Sequence, residues 1–100
     1  MALLDTLRPV LAKDLSVRQL SVLLEVSRNP GCSVRDVTHA LRIHKPSVVR
    51  AVDALVFKHE LMRRTPSRDD RRLVTLRVNE AGQALLAQLG EPAALPGRAA

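Results

Sequence analysis

The apolar residues of this chain change their period once, and that change is what most constrains the fold. Up to Glu60 they recur at helical spacing, and from Leu61 onward they alternate. Leu3, Leu4, Leu7, Val10 and Leu11 predict a short amphipathic helix over residues 2–13, with Pro9 limiting or bending its end. Ser16 and Gln19 form a capping box opening a second helix that runs to about Arg28, where Asn29-Pro30-Gly31 stops it. Ser33 and Asp36 repeat the box and open a third helix over residues 34–42. A brief turn, Arg42 to Lys45, leads to a fourth over 45–59, with Pro46 in its first turn, where the missing N–H costs nothing. Two helices joined by so short a turn make a helix-turn-helix.

Beyond Glu60, Leu61–Thr65 and Leu73–Val78 read as two short strands, with Val74, Leu76 and Val78 alternating with Thr75 and Arg77. The loop between them, Pro66 to Arg72, is too charged to be buried, so the pair predicts a hairpin with an extended tip. Asn79 caps a last helix from about Glu80 to Leu89, and residues 90–100 read as a disordered tail. The predicted fold is mainly α with a small β-hairpin wing, a winged helix-turn-helix. It divides into a short N-terminal helix over 1–14, the winged domain over 15–89 and the tail. A chain of 100 residues supports one such core and not two.

Charge narrows the partner. Residues 33–77 hold eleven bases against five acids, and that excess equals the whole formal net charge of +6. A localised basic segment suggests a polyanion, usually nucleic acid. Phe57 is the only aromatic residue, which removes the stacking platforms that single-strand and RNA readers rely on, so duplex DNA is favoured. The longest apolar run is four residues, and the N-terminus lacks a basic stretch followed by an apolar one, so neither a membrane span nor a signal peptide is expected. The single cysteine, Cys32, is expected to be an inert small hydrophobe in a reducing, cytoplasmic compartment. His39, His44 and His59 lack partners at ligand spacing, so no metal or cofactor is expected. No nucleophile, phosphate loop or carboxylate pair of an enzyme stands out.

Several stretches together resemble the DNA-binding core of MarR-type transcriptional regulators. They are Leu15-Ser16-Val17-Arg18-Gln19-Leu20, the run from Ile43 to Leu55, and the wing from Arg63 to Arg72 with Asp70 and Arg72 as its Asp-x-Arg signature. Asn79-Glu80-Ala81-Gly82 is similar to the Thr-Glu-x-Gly that follows the wing. The resemblance covers about residues 15–89 and implies a regulator, more readily a repressor than an activator. Its fourth helix would lie in the major groove and its wing would flank it.

The side of that helix away from its apolar stripe of Val48, Val49, Val52, Leu55 and Val56 is read as carrying Lys45, Ser47, Arg50, Ala51 and Ala54. The candidate DNA contacts are His44, Lys45, Ser47, Val48, Arg50 and Ala51, with Arg68, Arg71 and Arg72 in the wing. The resemblance gives Asp70 the task of orienting Arg72 and stiffening the loop. It also implies a homodimer. Leu3, Leu4, Leu7 and Leu11, with Leu85, Leu86 and Leu89, offer segments 1–14 and 80–89 for a compact interface or for packing onto the core. The terminal helices are short for the family, which leaves its small-anion pocket without a wall. Control by protein concentration, turnover or a protein partner is then expected. The rival reading is a winged-helix adaptor that binds a larger regulator or polymerase subunit and touches DNA only weakly.

Overall fold

The computed structural model describes residues 2–69 and 73–91. Five helices and one hairpin follow in the order α1 (Ala2–Lys13), α2 (Val17–Arg28), α3 (Val34–Leu41), α4 (Lys45–Asp53), β1 (Met62–Pro66), β2 (Val74–Val78) and α5 (Glu80–Gln88). This is the mainly α winged helix-turn-helix that the change of period predicts.

Local chemistry sets the boundaries. Ser16 Oγ accepts from the Gln19 N–H at 3.0 Å while Gln19 Oε1 accepts from the Ser16 N–H at 3.0 Å. Ser33 and Asp36 make the same reciprocal pair at α3. Each box satisfies two of the N–H groups that a helix start leaves unpaired. Asn79 Oδ1 accepts from the Gly82 N–H at 2.8 Å to open α5. α3 stops at Arg42, which adopts a left-handed conformation with φ of 53°, and this allows the chain to turn sharply into α4. α1 runs through Pro9 without a break.

α4 does not end cleanly. It widens into a π turn over Ala54–Lys58, closed by the His59 N–H donating to the Ala54 carbonyl at 2.9 Å. The antiparallel hairpin pairs Met62 with Val78 and continues in register to Pro66 with Val74. A further bridge, invisible to the sequence pattern, comes from the turn after α2. The Gly31 N–H donates to the Leu76 carbonyl at 2.9 Å, and the Leu76 N–H to the Cys32 carbonyl at 2.8 Å.

One core holds these elements together. Val22, Leu23 and Val26 of α2 meet Val37 of α3, Val48 and Val52 of α4, Leu76 of β2 and Leu86 of α5, all buried. Leu85 is buried as well, so of the two roles open to it and Leu86, packing onto the core is the one they take. α1 lies against α5 with Leu4, Leu7 and Leu11 exposed in a row at helical spacing. No helix among the described residues is long and apolar enough to cross a membrane.

Candidate nucleic-acid interface

α4 packs on α2 and α3 through one side, and this decides which of its residues remain available. Val48 is 0% exposed and Ala51 4%. Both were expected among the DNA contacts, and both belong to the core, so neither side chain can reach a groove. Ala51 turns inward because helices that approach closely need a small residue at the crossing. Val49, read from the sequence as part of the apolar stripe, is instead 36% exposed. The outward ridge of α4 therefore consists of Lys45, Pro46, Val49 and Arg50, with Ser47 and Asp53 half-buried at its edges. His44 precedes it, exposed at the N-cap position and making no side-chain cap bond.

The first turn of α2 stands beside this ridge. Ser16, Val17, Arg18 and Gln19 line an open depression of about 400 Å³ together with Ser47, Arg50 and Ala51. Arg18 and Arg50 are both exposed, so the depression has a cation on each of its two contributing helices. It also holds the start of α2, whose positive dipole end favours anions. Arg18 was not among the expected contacts. Its signal was its position, two residues after the Ser16 cap, but only the packing of α2 on α4 brings it to the ridge.

The hairpin carries the second cluster. Arg63 lies directly opposite Arg77, and Thr65 opposite Thr75, on the face turned away from the core. Thr75 Oγ1 donates to the Thr65 carbonyl at 3.0 Å, and the Ser67 N–H to the Leu73 carbonyl at 2.8 Å. Arg63, Thr65, Ser67, Arg68, Thr75 and Arg77 border an open depression of about 520 Å³. Like charges opposite each other on a sheet repel, so the pairing of Arg63 and Arg77 is tolerated where a counter-charge is available. Arg68 is exposed beyond the end of β1. The remaining wing residues named from the sequence, Asp70, Arg71 and Arg72, lie outside the described residues.

The hairpin and α4 are tied together. Arg64, on the opposite face of β1 from Arg63, ion-pairs with Asp53 of α4. The same guanidinium sits 5.4 Å from the centre of the Phe57 ring, a cation–π contact. Phe57 itself is 73% exposed.

Cys32 is half-buried, with its thiol pushed up to about 11, chiefly by burial and then by the negative charges of Asp36 and Glu25. A thiol so raised stays protonated and unreactive. Among the described residues no three His, Cys, Asp or Glu side chains gather as a metal site would require.

Comparison with known proteins supplies the context for this geometry. The sequence model of the MarR family matches residues 13–73. The uncharacterized HTH-type transcriptional regulator YhbI of Bacillus subtilis (strain 168) is 30% identical over 73 residues, covering 73% of this chain and 47% of YhbI. The chain thus spans about half the length of that curated relative. Among solved structures, the transcriptional repressor CouR bound to a 23-mer DNA duplex is 35% identical with a TM-score of 0.73, over 89% of this chain and 62% of CouR's. MepR of S. aureus in its DNA complex has a TM-score of 0.75 at 19% identity, over 83% of this chain and 68% of its own, a likeness of fold alone.

Proposed function

The chain belongs to the MarR family and has the fold of its winged-helix transcription regulators; from that premise we propose that it is a sequence-specific repressor that binds duplex DNA as a homodimer. α4 enters the major groove with its outward ridge, and the hairpin flanks it. The observation that carries this reading is the depression between α2 and α4. Arg18, Ser47 and Arg50 line it together, in a fold whose whole net charge falls between residues 33 and 77.

Arg50 reads base edges, since an arginine fork is the commonest partner of guanine. Lys45, His44, Arg18 and the α2 terminus hold phosphates. Arg68, Arg71 and Arg72 serve the flanking groove, whose negative potential attracts arginine, and Asp70 orients Arg72. CouR, itself bound to DNA, supports the polyanion as partner. The exposed row of Leu4, Leu7 and Leu11 on α1, next to α5, supplies the apolar surface for the dimer. Two copies then read half-sites about one helical turn apart.

Selection of sheared genomic DNA by the purified protein, at roughly physiological salt, tests this reading. An inverted repeat is expected to be enriched by the wild type and lost with Arg50→Ala, while Arg68→Ala weakens binding to all sequences and reduces the salt slope by about one. Enrichment of nothing, with DNA binding abolished by moderate salt, would instead establish the adaptor reading.

A further inference from the structure

We infer that Val49 is a specificity residue that reads the 5-methyl group of a thymine. The inference rests on the proposed docking of α4 in the major groove and adds to it a base preference that the charged residues do not supply.

Val48, Ala51, Val52 and Leu55 are buried, so the opposite ridge presents Lys45, Pro46, Val49 and Arg50, with Asp53 half-buried at its edge. Of these, Asp53 is engaged by Arg64. Val49 lies at the middle of the nine-residue helix, one turn after Lys45 and one turn before Asp53. A helix laid in a groove by this ridge brings its middle closest to the floor, while its ends and flanks face the phosphates. Lys45, at the start of the helix, suits a phosphate, and Arg50, next to Val49, reaches the edge of a neighbouring base pair.

The chemistry of the floor then chooses the partner. The major-groove edges of guanine, cytosine and adenine present donors and acceptors, and thymine alone adds an apolar group, its 5-methyl. An isopropyl side chain offers no hydrogen bond. Pressed against the cytosine amino group or the guanine acceptors it would displace water without replacing its bonds, which is costly. Against the methyl it buries apolar surface on both sides. Valine is also stiff at χ1 in a helix, so the group is presented in one orientation. Its helix propensity is poorer than alanine's, so an exposed valine here is not explained by helix stability. Pro46, exposed three residues earlier, continues the apolar strip along the same ridge.

The test uses the full chain and the duplex enriched in the genomic selection, with each thymine replaced in turn by deoxyuridine. That change removes one methyl and leaves pairing and every hydrogen-bonding group intact. At one thymine position in each half-site the wild type is expected to lose about fourfold in affinity, the worth of one buried methyl. Val49→Ala is expected to bind the two duplexes equally at that position and to unfold at an unchanged or higher temperature. Uniform tolerance of deoxyuridine by the wild type, or the same loss in wild type and Val49→Ala, overturns the inference and leaves the regulator reading standing. Failure to enrich any sequence overturns both.

Discussion

Arg64 of β1 joins its guanidinium to the Asp53 carboxylate on α4, so a single side chain couples the hairpin to the helix and neutralises the one acid on the helix's outward ridge. The two groups are partly exposed, and such a pair contributes less than about 1 kcal/mol to stability. Its larger effect is on binding. Arg64→Gln leaves Asp53 as an uncompensated negative charge facing phosphates and frees the angle between hairpin and helix. Specific DNA affinity is expected to fall about tenfold, with unfolding nearly unchanged. Adding Asp53→Asn removes the repulsion and is expected to recover most of that loss. A double variant as weak as Arg64→Gln alone would rule out the Asp53 charge as the cause and assign the loss to the freed hairpin or to a contact of Arg64 with DNA.

Gly82 marks a close approach. It is buried in the first turn of α5, and a Cβ there would run into the Leu61 carbonyl oxygen and Cγ1 of Val78. The same corner is fixed by Asn79, whose Nδ2 donates to the Glu60 carbonyl at 2.8 Å. Both obstacles are held, so the added methyl must displace backbone. Gly82→Ala is therefore expected to cost about 1–3 kcal/mol, in spite of alanine's better helix propensity. A denaturant midpoint equal to the wild type's would show that the corner yields.

The helix starts were legible because each is written in two residues at fixed spacing, Ser16 with Gln19 and Ser33 with Asp36, whose bonds are local. The facing of α4 was not. Val48, Val49, Val52, Leu55 and Val56 cover about 120° of an ideal helix, with Val49 at one edge and Ala51 just past the other, so a small rotation in packing against α2 and α3 buries Ala51 and exposes Val49. The π turn after Asp53 then shifts the phase of every later residue, and no composition rule announces it. Cys32 has no alternating neighbours to mark it as a strand. Its bridge to Leu76 exists because the turn after α2 ends beside β2.

Burial of Cys32 makes a chemical prediction. With its thiol near 11, only about one molecule in a thousand is thiolate at pH 8. Reaction with a disulfide reagent is expected to be much slower than for a free thiol, and mild peroxide should leave DNA binding unchanged. Rapid, stoichiometric modification of the native protein would show that the turn after α2 opens.

His59 links stability to pH. It follows the π turn, is 5% exposed, and its Nε2 meets no hydrogen-bond partner among the described residues. Burial first, and then the positive charges of Lys58 and Lys13, hold its pKa below the ordinary value, with Asp14 pulling the other way. The folded chain thus favours the neutral ring, while the unfolded chain takes up a proton near pH ~6.5. Above that pH both states carry neutral imidazole and the group contributes no pH dependence. Below it the unfolded state binds more protons, so stability is lost as the pH falls, by up to about 1.4 kcal/mol per pH unit from this one residue. His59→Met keeps an apolar side chain of adjustable shape and removes the titration. In urea unfolding from about pH 7 down to about pH 5, the variant is expected to lose less stability than the wild type, the difference opening below pH ~6.5. Parallel curves for the two proteins would assign the proton uptake to other groups and leave His59 as a packing residue alone.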